Sequence, residues 1–246
     1  SITHVIHVGS ISIALPTIAR EFNVSLTTIQ WVVLAESLTL SAMLLPMGRL
    51  SDIIGRKPMY LSGITLFGLM ALLSGSSPWI AHKFGFSYPI LLMIPFRILQ
   101  GVGAALTQAN GMAMVTSTFS AKERGKSLGA HGSIIGAGGI IGPILGGVLV
   151  TYLSWHWIFW INLPLCTMTF LGILFLLDSS RFARSDQKDK KYDWIGATLS
   201  SSALLIFLLT LSNGGNFGWS SPPIIVGFLV FIGSIFSFIW WESKSS

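Results

Sequence analysis

The sequence predicts an all-α protein made of membrane-spanning helices. Three observations carry that prediction: a shortage of charge, a series of long apolar stretches, and a one-sided distribution of basic residues. Of 246 residues, 52% are hydrophobic and 10% are charged, with a mean hydropathy of +0.72. A soluble domain covers its surface with about 25% charged residues. Phenylalanine (16) and tryptophan (9) are abundant, as lipid-facing and interfacial positions favour. The single cysteine, Cys166, lies in an apolar run and cannot form an internal disulfide. The net charge of +6 does not point to nucleic acid, because it is concentrated in short loops between apolar stretches.

Eight apolar stretches run approximately over residues 2–16, 30–48, 59–75, 88–110, 128–152, 158–177, 194–212 and 223–241. Most approach the ~20 residues that cross a ~30 Å hydrocarbon core. Helix is the reading for each, since backbone groups in lipid must be satisfied within the segment. The first stretch opens at Ser1 without a methionine or a basic lead, and reads as a clipped first helix and not as a signal peptide. The third is bounded by Gly75-Ser76-Ser77-Pro78, beyond which it could extend a few residues.

With the connection 17–29 taken as external, one side of the membrane receives Arg49, Arg56, Lys57, Lys122, Arg124, Lys126, Arg181, Arg184, Lys188, Lys190, Lys191 and Lys244. The other receives Arg20 and Lys83, and Arg97 is left inside a helix. The positive-inside rule then predicts a multi-pass protein of the cell membrane with a cytoplasmic N-terminus. The basic run 181–191, interleaved with Asp178, Asp186, Asp189 and Asp193, reads as a solvated cytoplasmic linker.

Three segments depart from generic membrane helix. The connection Gly48-Arg49-Leu50-Ser51-Asp52-Ile53-Ile54-Gly55-Arg56-Lys57-Pro58 is a tight reversal. Its glycines permit close approach or unusual backbone angles, and Asp52 lies within helical reach of Arg49 and Arg56. In the fourth stretch, Arg97 falls about eight residues in, ~12 Å below the surface at 1.5 Å per residue. A buried arginine costs at least ~2.5–3.5 kcal/mol on insertion scales and must face protein or water. In the fifth stretch Gly138, Gly142 and Gly146 form one ridge, and Gly139, Pro143 and Gly147 form the ridge beside it. Such ridges let another helix backbone press close, and Pro143 predicts a kink. The pattern Gly136-x-Gly138 is not a dinucleotide motif, since no strand precedes it. No catalytic triad, metal cluster or cofactor motif is assigned. His4 and His7 lack further nearby ligands, and His131 and His156 read as structural.

These segments together resemble the major facilitator superfamily, in particular its fourteen-helix drug–proton antiporter group. Gly48 to Lys57 is similar to the family's signature between helices 2 and 3. Arg97 to Gly103 is similar to its helix 4 signature, whose arginine is linked to proton coupling, and Gly138 to Gly147 to its antiporter signature in helix 5. Ala14-Leu15-Pro16-Thr17-Ile18, Gln30-Trp31-Val32-Val33, Trp157-Ile158-Phe159-Trp160-Ile161-Asn162-Leu163-Pro164 and Asp193-Trp194-Ile195-Gly196 also look like that group. Two positions depart from it. His7 stands where helix 1 usually carries an aspartate, and Glu36 stands in helix 2 where tyrosine is common.

The resemblance implies a six-helix N-terminal bundle over 1–178, a cytoplasmic linker over 179–193, and two additional transmembrane helices with a tail over 194–246. It implies proton-coupled efflux of small amphipathic or cationic compounds, no enzymatic activity, and a second helical bundle of the same protein. A non-transporting membrane subunit that docks another bundle is the alternative. The candidate substrate and proton set is Glu36, Arg97, His7, Gln108 and Asn110; at 1.5 Å per residue Glu36, Arg97 and His7 lie roughly 8, 12 and 13 Å in from the outer ends of their helices, levels at which Glu36 can take the role of the helix 1 acid. The cytoplasmic gate is Gly48, Asp52, Gly55, Arg56 and Lys57, in which Asp52 pairs locally or faces solvent when the second bundle is absent. The packing motif is Gly138, Gly142, Pro143, Gly146 and Gly147.

Overall fold

The computed structural model describes residues 2–118, 123–176 and 192–245. Every regular element among them is helical: α1 (Ile2–Phe22), α2 (Leu26–Ile29), α3 (Trp31–Ile54), α4 (Arg56–Gly75), α5 (Ser77–Phe84), α6 (Ile90–Thr118), α7 (Arg124–Tyr152), α8 (His156–Trp160), α9 (Asn162–Leu176), α10 (Trp194–Phe217) and α11 (Pro222–Ser245). Seven spans among the described residues are long and apolar enough to cross a membrane, α2 running into α3 and α8 into α9 as single spans. The first apolar stretch forms α1, which is not one of those seven. His4, His7, Arg20 and Glu21 lower its apolarity, yet its apolar face is built into the core through Ile11, Ala14 and Ile18. Most of the basic linker, including Arg181, Arg184, Lys188, Lys190 and Lys191, lies outside the described residues, as does Lys122 between α6 and α7.

The turns follow from local chemistry. Ser25 caps α2 by accepting the Thr28 amide at 3.1 Å. α3 and α4 are separated by Gly55 alone, at φ 116° and ψ 141°, a region essentially reserved for glycine. Gly48 lies within α3 and is less constrained: a Cβ there would meet only Ala109 Cβ at 3.8 Å. The third stretch does not simply lengthen. It stops at Gly75, and Ser77–Phe84 forms the separate helix α5, with Pro78 in its first turn and Gly85 closing it at φ 72°. Pro in the first turn and Gly past the last are the residues those positions favour.

α1 packs on α7, α4 and α3 pack on α6, α9 packs on α4, and the α10–α11 hairpin rests on α3 through α10. The close crossings fall at glycines. A Cβ on Gly146 would lie 2.6 Å from Ser10 O, and one on Gly142 would lie 2.9 Å from Ile6 O. Gly63 and Gly103 make the equivalent contact between α4 and α6, each within about 3 Å of the other helix's backbone. The α7 motif is therefore packed along one ridge and at Pro143 alone on the other. Gly138, Gly142 and Gly146 are buried, and Pro143 meets Gly9 of α1. The neighbouring ridge does not pack as expected: Cβ atoms at Gly139 and Gly147 would meet open space. The ridges are one residue step, about 100°, apart, and α1 fills the first and touches the second only at Pro143.

The bundle has two chemically distinct ends. At one, called here the basic end, Lys57 Nζ donates to Leu174 O at 3.3 Å, Tyr192 Oη donates to Pro46 O at 3.2 Å, and Arg49 pairs with Glu242 at 3.3 Å. At the other, Trp155 Nε1 donates to Glu21 Oε2 at 2.6 Å, and His156 stacks on Trp155 (3.9 Å) and Trp79 (4.7 Å). Rings of this kind gather at membrane–water interfaces.

Candidate functional site

Two turns into α6, Arg97 is fully buried. Nothing apolar could hold a guanidinium there, and each of its nitrogens faces a polar partner. Arg97 Nε donates to Val32 O at 2.7 Å and Nη1 to Gln100 Oε1 at 2.7 Å. Nη1 also lies 2.6 Å from His7 Nε2, and Nη2 is ion-paired with Glu36 Oε2. The guanidinium carbon sits 5.7 Å from the centroid of the Phe159 ring, a cation–π distance. Glu36 is also fully buried, and its second oxygen faces His4 Nε2 at 3.2 Å.

Each side chain is placed by its helix. Glu36 and Val32 are one turn apart on α3, so the same face gives Arg97 a carboxylate and a carbonyl. Arg97 and Gln100 share a face of α6. Gly101 of that helix lets it approach α3, since a Cβ there would lie 2.6 Å from Glu36 O. His4 and His7 are one turn apart on α1. Phe67 of α4 stands edge-on to both imidazoles, at 6.0 and 5.8 Å, and Phe159 of α8 stands edge-on to His7 at 5.3 Å. Asn162 at the start of α9 completes the wall, its amide 2.9 Å from His7 Nδ1. Six elements thus converge on one acid, one fixed cation and two imidazoles. The pair is mutually neutralised, and removing either charge alone leaves the other buried without a counter-ion.

The structure brings His7, Glu36 and Arg97 together. Gln108 and Asn110 do not touch this cluster and lie further along α6. Gln108 is exposed, and Asn110 is buried at the basic end, donating to Ser51 Oγ and Leu106 O at 2.7 Å each. These positions lie more than two turns further along α6 than Gln100, roughly 12–15 Å away at 1.5 Å per residue. His4, Gln100 and Asn162 were not singled out as site residues. Signals existed for each: one-turn spacing from His7, the same spacing from Arg97, and a place within the Trp157–Pro164 segment.

In the turn at the basic end, Asp52 pairs with Arg56 at 3.2 Å, four residues on, and both are largely exposed. Lys57 is buried and reaches the Leu174 carbonyl of α9.

A helical bundle with spans of membrane length and an ion pair in its interior is a multi-pass integral membrane protein. Residues 2–245 match the model of the Major Facilitator Superfamily, and the chain belongs to that family. It is 35% identical over 210 residues to the riboflavin transporter RibZ of Clostridioides difficile, covering 85% of this chain and 43% of that protein. It is 31% identical over 238 residues to the multidrug resistance protein Stp of Mycobacterium tuberculosis, covering 96% and 42%. It is also 31% identical over 235 residues to the multidrug transporter protein MdtP of Bacillus subtilis, covering 94% and 40%. The chain thus spans about two-fifths of the length of these relatives.

Proposed function

We propose that this chain is the N-terminal bundle, with two further helices, of a secondary active transporter that expels small amphipathic or cationic compounds in exchange for protons. The observation that carries the reading is the buried Glu36–Arg97 pair with His7 against it. A carboxylate inside the membrane is a functional group by default. Burial favours its neutral form, and the nearby arginine favours its charged form. A movement that separates the two changes whether the acid holds a proton, and that is what coupling requires. Relatives named as multidrug transporters support the substrate class, and a relative named as a riboflavin transporter extends it to planar heteroaromatics.

In this reading the basic end faces the cytoplasm of a cell-membrane protein, as the positive-inside rule requires. Substrate binds between this bundle and a second one, near the midplane. Gly48, Asp52, Gly55, Arg56 and Lys57 form the cytoplasmic gate, and the Asp52 carboxylate exchanges its local Arg56 partner for a contact with the second bundle. The test is Glu36→Gln in the full-length protein, assayed by proton-driven uptake into inverted vesicles with ethidium and riboflavin as probes. Uptake is expected to be abolished while probe binding persists. Undiminished proton-driven uptake overturns the proposal.

A further inference from the structure

The two histidines of α1 occupy different chemical positions. A guanidinium only donates hydrogen bonds. Arg97 Nη1 lies 2.6 Å from His7 Nε2, so that nitrogen must present its lone pair. Gln100 has its oxygen on Arg97 at 2.7 Å, which turns its amide nitrogen towards the same His7 atom at 3.3 Å. His7 is therefore a neutral ring with its proton on Nδ1, facing the Asn162 amide at 2.9 Å. The backbone acceptor beside the ring is the Ile158 carbonyl, to which the Asn162 amide nitrogen also donates at 2.8 Å, as it does to Phe159 O at 3.2 Å. Charging His7 would set a second cation against the guanidinium inside a wall of Phe67 and Phe159.

His4 has none of these constraints. Its Nε2 lies 3.2 Å from Glu36 Oε1, whereas Arg97 occupies Oε2. Its side chain is 18% exposed, while Glu36, Arg97 and His7 are at 0%. The charged and titratable groups facing Glu36 are Arg97 from α6 and His4 and His7 from α1. The residues reaching the cluster from α4, α8 and α9 are Phe67, Phe159 and Asn162, which carry no titratable group.

We propose that His4 is the imidazole that exchanges a proton with Glu36, and that His7 is a positioning residue that holds Arg97. The proposal rests on the coupling reading above and names the group through which the acid is charged and discharged. The step is a single proton transfer: the N–H bond at His4 Nε2 breaks and an O–H bond forms at Glu36 Oε1. An imidazolium and a carboxylate become a neutral imidazole and a neutral acid, and Arg97 loses the charge that holds it. The reverse transfer recharges Glu36, and His4 passes its proton on through its partly exposed edge.

The test is nitrogen NMR of the full-length protein in lipid bilayers with 15N-labelled histidine, His4 and His7 being assigned from His4→Asn and His7→Asn. The His4 Nε2 signal is expected to show a proton shared with the Glu36 carboxylate, while His7 stays the neutral Nδ1–H tautomer from pH 8 to pH 5. In Glu36→Gln the His4 population that carries this shared proton should fall at least about tenfold at the same pH, because the accepting carboxylate is gone. An imidazolium signal at His7 over this range overturns the proposal in the unmodified protein, whether or not any variant folds. So does a His4 population that is the same with and without the Glu36 carboxylate. The two readings fail separately. An unresponsive His4 with abolished uptake in Glu36→Gln leaves the coupling role of Glu36 standing. A responsive His4 with unimpaired uptake removes the coupling role and leaves a local proton pair.

Discussion

Arg97 is held by four partners at once, and each comes from a different kind of group: a carbonyl, an amide, an imidazole and a carboxylate. The planar fork is what reaches them together, and a lysine, with one nitrogen, cannot. Arg97→Lys should keep the charge balance yet reduce proton-driven transport at least tenfold; transport at the original rate would show that charge alone matters. Arg97→Leu leaves Glu36 buried and unpaired, which costs about 3–5 kcal/mol. Adding Glu36→Gln to it should recover part of that loss in unfolding measured in detergent, and no recovery would mean the pair is not its source. Gly55 is the other position where a single residue decides the structure. At φ 116° a Cβ is strained whatever the space, so Gly55→Ala should lower stability by about 1–3 kcal/mol, read as a drop in the thermal midpoint. An unchanged midpoint would show that the α3–α4 reversal tolerates another backbone.

Among the helices, α7 separates two uses of glycine that look alike along the chain. Gly142 and Gly146 touch the backbone of α1, and Ser10 Oγ donates to the Gly142 carbonyl across the same seam at 2.7 Å. Gly147 meets nothing within 4 Å. Overpacking a close seam costs about 1–3 kcal/mol. Gly146→Leu should therefore weaken the α1–α7 contact and make transport slow or leaky, with near-normal expression. Gly147→Leu should leave thermal stability within about 0.5 kcal/mol, as surface changes do. Equal effects of the two on thermal melting in detergent would refute the one-sided seam.

Across the whole molecule, the α10–α11 hairpin is joined to the rest of the helices at the basic end through a small polar clasp. Asp193 caps α10 by accepting the Gly196 amide at 2.9 Å, and it also accepts Trp241 Nε1 at 3.0 Å. Arg49 reaches Glu242 beside it. The bond from the Gly196 amide, with the Trp241 indole adding to it, holds the Asp193 carboxyl below the usual carboxylate range. A depressed acid contributes stability above its unfolded value and loses it as pH falls through the folded one. Protection of the Gly196 amide in hydrogen exchange should thus be flat from pH 8 to pH 5, once corrected for intrinsic exchange. It should decline only below about pH 4. Asp193→Ala should cost about 1 kcal/mol of local stability, as a lost N-cap does. Protection that is already falling at pH 6 would argue that another group closes the clasp.

Much of this architecture was legible along the chain because lipid imposes one rule on every span. A segment without water must satisfy its own backbone, so apolar length alone marks helix after helix. The basic turn, the lone intramembrane arginine and the glycine ridges were visible for the same reason, as exceptions to an apolar background. α5 and the polar α1 were less legible, being short or mixed in composition. What the sequence by itself determined was the all-α membrane class, the order of the spans and the presence of charge that must find a partner. Only the tertiary structure decided which partners those are. It set Glu36 rather than solvent against Arg97, gave His7 and His4 different neighbours one turn apart, sent Asn110 to Ser51, and filled one glycine ridge while leaving the glycines of the other open. Helical periodicity states which residues share a face, but the rotation of each helix about its axis follows from the packing of all its neighbours at once. That rotation selects the groups that meet.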